Sequence, residues 1–275
     1  MLLFPNAKIN FGLRILRKRS DGFHDLETIF LPVNLTDVLE FAEEGKNETL
    51  LTVTGIIPDG DTKENLVVKA WNIMHEKFNI PPVNIHLHKV IPIGAGLGGG
   101  SADAAFMLKG LNEYFCCGCS HEELKKHAAG LGSDCAFFVD NTPMLGTGRG
   151  ELLEPLNVSL YEYEIMLIKP DIHIATREAY AEIVPVEPEI SLKELIKNPV
   201  HTWQESVMND FEPPVFKNHP AIKLIKDKLL DRGAVYASMS GSGSAVYGLF
   251  EPGYLGKEDF RDFNDCFLYK GSILR

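Results

Sequence analysis

The sequence lacks any apolar run long enough to cross a bilayer, which takes about 20 residues in a helix. Positive charge is also scarce, because 27 lysines and arginines stand against 38 aspartates and glutamates, for a formal net charge of −11. This balance argues against a broad surface for nucleic acid or anionic lipid, so we expect no nucleic-acid partner and no membrane partner. An anion site in such a chain has to be built from local donors.

Cysteine is scarce as well, and the five cysteines are an odd number that does not suggest a disulfide framework. The N-terminus shows no basic leader followed by an apolar stretch, so we expect no signal peptide and a cytoplasmic location. Residues 116–119 contain a Cys-x-x-Cys spacing, but a structural zinc site takes four ligands and no second pair is evident. The spacing alone therefore does not predict a metal site.

The 275 residues are enough for a hydrophobic core and two modest domains. Alternation and apolar runs predict strands at 7–16, 51–54, 83–88, 161–168, 235–239 and 245–250. Helical spacing predicts helices at 65–78, 101–115, 121–132, 176–183, 191–197, 201–210 and 220–232. Turn residues mark loops at 19–25 and 146–151. Strands and helices that mix without strict alternation favour an α+β fold.

Five of the seven residues from Gly94 to Gly100 are glycine, between a predicted strand and a predicted helix. A helix N-terminus carries free N–H groups and partial positive charge, and glycines let an anion approach them. We therefore expect an anion-binding loop, with a tight packing turn as the alternative. A Walker A loop would need a lysine here, which is missing. The spacing G-x-G-x-x-G is present, but the acidic residue of a dinucleotide site is not, which leaves an oxidoreductase as a weak alternative.

Three stretches resemble the motifs of the GHMP kinases, the family of galactokinase, homoserine kinase and mevalonate kinase. Residues 92–101 are similar to the family's second motif, residues 5–10 to its first and residues 240–244 to its third. The segments 21–24, 132–134 and 148–151 further resemble the branch that acts on a cytidylyl alcohol. The resemblance implies a kinase that uses ATP and Mg²⁺ to phosphorylate the 2-hydroxyl of a cytidylyl methylerythritol substrate. Another small-molecule GHMP kinase, for mevalonate, homoserine or a sugar, and a nucleotide-binding scaffold without catalysis are the alternatives.

The resemblance also implies two domains with the active site in the cleft between them. The N-terminal domain, 1–156, would resemble domain 2 of ribosomal protein S5, and the C-terminal domain, 157–275, would be ferredoxin-like. We expect a monomer or a weak homodimer.

The family match places the catalytic base on Asp134 and a charge-stabilising lysine on Lys8. A carboxylate can take the proton of the attacking hydroxyl, and a nearby ammonium would keep that carboxylate ionised and stabilise the migrating phosphoryl group. From the residues alone, Asp134 could instead cap the helix that follows, and Lys8 could be a solvated lysine on the polar face of its strand.

The resemblance assigns the cytosine to Phe23 and Tyr180 as stacking faces and to His24, largely through its backbone, as the reader of the base edge. Asn10 would bond polar groups of the substrate, and Thr176 is a weaker candidate for the same pocket. The alternative for Tyr180 is a place in the core, and for Thr176 a helix cap. The substrate diphosphate would be covered by Gly241, Ser242 and Gly243.

ATP would be bound by the glycine-rich motif and by Asn65 and Lys89, which precede it. Either of these two residues could equally lie on the surface. The full set is Asn65, Lys89, Pro92, Gly94, Gly96, Leu97, Gly98, Gly99, Gly100, Ser101 and Ala102. Where the family often continues Ser-Ser-Asn, this chain has Ser101-Ala102-Asp103. Asp103 would either help to place Mg²⁺, whose ligands are otherwise not indicated, or cap the helix.

Overall fold

The computed structural model describes residues 1–43, 45, 48–58, 60–256 and 259–274. The chain forms two compact units, each assembled from several stretches. The first unit comprises Met1–Ala7, Leu35–Ile93 and Gly98–Asn141. The second unit comprises Lys8–Asn34, Gly94–Leu97 and Thr142–Arg275. The glycine-rich loop is thus shared, with residues 94–97 in the second unit and residues 98–100 in the first.

The strands of the described residues are β1 (Leu2–Leu3), β2 (Asn6–Lys18), β3 (His24–Thr36), β4 (Val38–Ala42), β5 (Leu50–Gly55), β6 (Asn84–Lys89), β7 (Met144–Thr147), β8 (Leu152–Pro155), β9 (Glu164–Lys169), β10 (Tyr236–Met239), β11 (Val246–Phe250) and β12 (Phe267–Ser272). The helices are α1 (Leu66–Phe78), α2 (Gly99–Tyr114), α3 (His121–Leu131), α4 (Phe137–Asp140), α5 (Thr176–Ala181), α6 (Leu192–Leu195), α7 (Trp203–Ser206), α8 (Glu212–Asn218) and α9 (Pro220–Asp231). None of these helices combines the length and the apolar character that a membrane span needs.

The first unit contains a sheet in the order β1-β4-β6-β5, in which only the β5–β6 pair is parallel. The helices α1 and α2 pack against each other. Asn65 begins α1 by accepting a hydrogen bond from the Val67 N–H at 2.9 Å, and Asn79 ends it in the left-handed conformation. Because Ala70 and Met74 lie four residues apart, one face of α1 is buried.

The second unit contains two sheets, in the orders β2-β3-β7-β8 and β10-β11-β9-β12. The second of these is antiparallel throughout. The helix α9 buries Ile222, Ile225 and Leu229 and packs on β10 and β11, since these residues recur at helical spacing. They belong to one hydrophobic cluster with residues of β2, β9 and α8.

The strand predicted at 7–16 forms, but its polar face is not solvent-exposed. Ile9 and Phe11 are fully buried, and Lys8 and Asn10 on the opposite face are each only 3% exposed. The alternative of a solvated Lys8 is therefore wrong, because β2 is covered on both faces.

Other differences from the predicted elements have local physical causes. The strand β3 was not predicted because its first half is buried on both faces and so shows no alternation. The helix α8 was not predicted because two prolines follow Glu212, yet proline is tolerated in the first helical turn. The helix predicted at 201–210 ends early, since Met208 and Asp210 instead form backbone hydrogen bonds with Leu13.

Further elements were also not predicted, namely β1, β4, β7, β8, β12 and α4. The remaining predicted helices and strands form with shifts of a few residues at their ends.

Candidate active site

The glycine-rich loop ends in a helix N-terminus that is open to a ligand. Ala102 donates the first helical hydrogen bond of α2, to the Gly98 carbonyl at 2.9 Å. The N–H groups of Gly99, Gly100 and Ser101 therefore have no acceptor within the helix. A Cβ atom added to Gly100 would meet no described atom within 4 Å. This 16-residue helix thus presents donors and partial positive charge to open space, which suits a phosphate group.

Two glycines of the loop are needed for close packing rather than for openness. A Cβ atom on Gly96 would lie 2.0 Å from the Ser240 carbonyl oxygen, and its φ of 77° is in the left-handed region. A Cβ atom on Gly99 would lie 2.9 Å from Ile91 Cγ2. Tight packing therefore accounts for Gly96 and Gly99, and anion binding by the N–H groups of residues 99–101 stays a prediction.

The second unit joins three of the motifs that the sequence analysis singled out. The Lys8 N–H donates to the Leu97 carbonyl at 2.9 Å, which ties β2 to the glycine loop. The Ser240 hydroxyl donates to the Gly96 carbonyl at 2.8 Å, and the same hydroxyl oxygen accepts the Asn10 N–H at 3.1 Å. The sequence stretches around residues 8, 96 and 240 are therefore in direct hydrogen-bond contact.

The Lys8 ammonium is held in a defined position. Its Nζ donates to Asn10 Oδ1 at 2.5 Å and lies 5.1 Å from the centroid of the Phe30 ring. The Asn10 amide in turn donates to the Thr28 hydroxyl at 3.0 Å. Gly241 lies close by, because a Cβ atom there would be 3.1 Å from Asn10 Oδ1. The Asn10 side chain thus orients Lys8 in this structure, and its contact with substrate stays a prediction.

The loop at 240–244 is supported by Asn209, which the sequence analysis did not single out. The Asn209 amide donates to the carbonyls of Met239 and Gly241 at 2.7 and 2.9 Å, and the residue is 2% exposed. Ser242 and Gly243 lie in the same turn. An asparagine between two short helices carries no sequence signal for this role.

Lys89 is the centre of a buried ion cluster in the first unit. Its Nζ donates to Asp103 Oδ2 at 2.7 Å and also to Asp37, which is fully buried. The other oxygen of Asp37 accepts the N–H groups of Val90 and Ile91 at 2.6 and 2.8 Å. The cluster therefore connects the end of β6 to the first turns of α2. The alternative that Lys89 lies on the surface is wrong.

The charges of this cluster shift each other's titration. Burial raises the pKa of Asp103 to about 7, and the charge of Asp37 acts in the same direction, while Lys89 opposes both. Burial lowers the pKa of Lys89, but the charges of Asp103 and Asp37 outweigh it and raise the pKa above its usual value. The Lys89 ammonium thus stays charged at neutral pH.

Asp103 does not cap α2, since the N-cap position is Gly98. Its Oδ1 accepts no hydrogen bond from the residues that the structure describes. A cation would have to approach this carboxylate beside the Lys89 ammonium, which does not fit a Mg²⁺ ligand. Across the described ranges, no three histidine, cysteine, aspartate or glutamate side chains are arranged to hold a metal ion.

We expect Asp103 to make stability depend on pH in a defined direction. Its folded-state pKa is raised from 3.8 to about 7, so the folded protein binds this proton more tightly than the unfolded chain does. The stabilisation is complete below the unfolded pKa and is lost as pH rises through the folded pKa. The free energy of unfolding of the wild type, minus that of Asp103→Asn, should therefore decrease as the pH rises from about 4 to about 7. Urea unfolding at several pH values measures it, and a difference that rises with pH would contradict the assignment.

Asp134 is half-buried and lies between α3 and α4. The N-cap residue of α4 is Ala136, without a side-chain cap, so the capping alternative for Asp134 is wrong. Burial raises the pKa of the neighbouring Cys135 thiol to about 11. The helices on either side of this segment, α3 and α4, both pack against α2.

The residues predicted for cytosine binding form three ring contacts. His24 stacks on Tyr180 with ring centroids 4.9 Å apart and an interplanar angle of 21°. Tyr180 also packs edge-on against Phe211, with ring centroids 4.8 Å apart. It therefore borders the hydrophobic core, which agrees with the alternative of a place in the core. Phe23 is 54% exposed, and the guanidinium carbon of Arg149 lies 5.0 Å from its ring centroid.

Thr176 is exposed and begins α5, but the N-cap position is Ala175, so its capping alternative is wrong. Pro92 is buried just before the loop. Ligand binding by Thr176 and Pro92 stays a prediction.

Comparison with known proteins identifies the family. Residues 65–141 match the GHMP kinases N terminal domain, and residues 191–266 match the GHMP kinases C terminal domain. A 4-diphosphocytidyl-2-C-methyl-D-erythritol kinase of Parabacteroides distasonis is 50% identical over 273 residues, which cover 99% of this chain and 100% of that protein. The chain belongs to the GHMP kinase family.

Further GHMP kinases agree with this assignment. A protein of Bacteroides thetaiotaomicron with the same name is 51% identical over 276 residues, covering 99% of this chain and 100% of its own length. A crystal structure of 4-(cytidine 5'-diphospho)-2C-methyl-D-erythritol kinase gives a TM-score of 0.85 at 29% identity, with 99% of both chains covered. A homoserine kinase from Cytophaga hutchinsonii gives 0.67 at 19% identity, over 98% of this chain and 95% of that one, which shows the shared fold. The predicted α+β GHMP kinase fold is confirmed.

Proposed function

We propose that the protein is a 4-diphosphocytidyl-2-C-methyl-D-erythritol kinase of the non-mevalonate isoprenoid pathway. It transfers the γ-phosphoryl group of ATP to the 2-hydroxyl of that substrate. The observation that carries the proposal is identity of about one half, over nearly the whole chain, to relatives of that name in two organisms. The same comparisons favour this activity over a mevalonate, homoserine or sugar kinase and over an oxidoreductase.

ATP is the phosphoryl donor that GHMP kinase membership implies. The N–H groups of Gly99, Gly100 and Ser101 would bind its phosphates, since they have no acceptor within α2 and Gly100 faces open space. Mg²⁺ would arrive with the nucleotide, because this ion is commonly held mainly by substrate phosphates and water. When bound, it would neutralise charge on the phosphate oxygens.

The transfer asks this chain for positioning and charge stabilisation more than for covalent chemistry. Asp134 accepts the proton of the substrate 2-hydroxyl while the oxygen of that hydroxyl bonds to the γ-phosphorus of ATP. The bond from that phosphorus to the bridging oxygen breaks, and ADP carries away the electron pair. Lys8 stabilises the negative charge of the migrating group, and the Asn10 contact keeps its ammonium from rotating.

The cytosine is proposed to stack on Phe23, whose side chain is largely exposed, with its edge read at His24. The His24–Tyr180 stack would border the bound base. The loop at Gly241–Gly243 is proposed to cover the substrate diphosphate. Domains 1–156 and 157–275, a cytoplasmic location and a monomeric or weakly dimeric state stay predictions.

A coupled assay of ADP release with Mg-ATP tests the function. It compares the cytidylyl methylerythritol substrate with mevalonate, homoserine and galactose, and includes a control without acceptor. We expect turnover of the cytidylyl compound alone. Turnover of another acceptor would keep the ATP loop but overturn the assignment of Phe23 and His24, and ATP binding without any turnover would favour a scaffold.

Replacing Lys8 should slow the chemical step. Lys8→Met removes an ammonium that acts on developing charge, so kcat should fall about 10²-fold or more while the KM for ATP changes little. The matched control is Lys18→Met, at the exposed end of the same strand, which should keep full activity. Steady-state kinetics with varied ATP measures both, and an effect confined to KM would contradict the role.

A further inference from the structure

The proposed mechanism gives no role to Arg149, yet this residue covers an exposed aromatic ring. Its guanidinium carbon lies 5.0 Å from the centroid of Phe23, which retains 54% of its accessible surface. The closest carboxylate contact of the guanidinium, to Glu151 Oε1 through Nε, is long at 3.5 Å. The ring is therefore the better-formed contact of this side chain.

The backbone on both sides of this contact is fixed. Phe23 donates its N–H to Asp21 Oδ1 at 3.1 Å and accepts the Arg19 N–H at 2.8 Å, which closes a tight turn. The Arg149 N–H donates to the Glu151 carboxylate in a second turn. A hydrogen bond of 2.7 Å from the N–H of residue 26 to the carbonyl of residue 148 joins the two segments.

Charge around the contact keeps Arg149 in place. The hydrogen bond from Arg19 lowers the pKa of Asp21, and the charge of Arg149 acts in the same direction. Asp21 therefore stays ionised, and its charge and that of Glu151, whose Oε1 lies 3.5 Å from Arg149 Nε, both attract the guanidinium. Since the Phe23 backbone is held, the freedom left to its ring is rotation about two side-chain torsions, which the guanidinium restricts.

We propose that Arg149 is a positioning residue for cytosine recognition: its guanidinium backs one face of the Phe23 ring, and the pyrimidine of the substrate stacks on the opposite face. The inference rests on the proposed function, because it takes Phe23 as the platform for the base. A ring that is already held in its binding orientation loses less side-chain freedom when the ligand arrives, so affinity improves without any contact between Arg149 and the ligand. Planar stacking suits guanidinium better than ammonium.

Calorimetric binding of CDP tests this, with wild type, Arg149→Ala, Arg149→Lys, Phe23→Ala and the double variant. We expect Arg149→Ala to raise the Kd of CDP about 5- to 10-fold and Arg149→Lys to restore part of that loss. Because Arg149 acts through the ring, adding Arg149→Ala to Phe23→Ala should change little. The KM for ATP should stay within about twofold of wild type in every variant.

The control for lost charge is Arg261→Ala, whose side chain is 86% exposed and which should bind CDP as wild type does. Unchanged CDP affinity in Arg149→Ala would overturn the inference but not the proposed function. An Arg149 effect that persists in full without Phe23 would do the same, since the guanidinium would then contact the ligand directly. A wild-type protein that does not bind CDP would contradict the proposed function and the inference together.

Discussion

Asp134→Asn should abolish most phosphoryl transfer while leaving nucleotide binding intact. The amide keeps the size and shape of the carboxylate but cannot accept the proton of the 2-hydroxyl. General-base catalysis contributes about 10²- to 10⁴-fold, so kcat should fall by that order. The half-buried position between α3 and α4 tolerates a neutral isostere, and thermal unfolding should change little.

The matched control is Asp140→Asn, six residues further along, whose carboxylate pairs with Lys125 at 2.7 Å. Its loss should cost some stability and no more than a small part of the rate. Single-turnover quench experiments with Mg-ATP and the cytidylyl substrate measure the chemical step directly. Nearly full activity of Asp134→Asn would remove Asp134 as the base and leave the transfer to positioning alone.

The sequence predicted the glycine loop well because its signal is local. Five glycines between a strand and a helix indicate a helix N-terminus, and the structure places Gly98 and Gly99 at that point. The spacing could not show which glycines of the loop are needed for close packing. Whether a Cβ atom at Gly96 meets a carbonyl 144 residues away depends on tertiary packing that no short window contains.

Lys8 and Lys89 show the same limit for charged residues. Alternation places Lys8 opposite the apolar face of its strand, which alone favours a solvated lysine. Lys89 instead shares the face of Ile85 and Leu87, but as the last residue of β6 it could still reach solvent. In the structure one ammonium is held by Asn10 and the other by two carboxylates. Asp37, the most buried of these partners, lies 52 residues before Lys89, so no spacing rule connects them.

Arg149 illustrates why a motif resemblance undervalues some residues. The segment 148–151 resembles the family as a turn, and its glycines explain the turn. The contact of Arg149 with Phe23 comes from a backbone hydrogen bond between segments more than 100 residues apart. A contact between segments so far apart in the chain cannot be predicted from the sequence of either segment.

Lys89→Met should lower the free energy of unfolding far more than the replacement of a surface lysine does. It leaves Asp37 and Asp103, which are 0% and 2% exposed, without the ammonium that they share. Removing one partner of a buried ion pair costs about 3–5 kcal/mol, because the remaining charge has no water to solvate it. The matched control, Lys69→Met, breaks a pair with Glu64 whose side chain is 75% exposed, so it should cost about 0–1 kcal/mol.

The deficit of Lys89→Met should depend on pH and on Asp103. Protonation removes one of the stranded charges, so the loss in unfolding free energy should be smaller at pH 5 than at pH 8. Asp103→Asn in the Lys89→Met background should recover part of the stability at pH 8 for the same reason. Urea denaturation at both pH values measures all three variants. If Lys89→Met unfolds within about 1 kcal/mol of wild type at pH 8, the buried ion cluster does not contribute the expected stability. A Tm drop without loss of ATP affinity would separate its role in stability from any contact with the nucleotide.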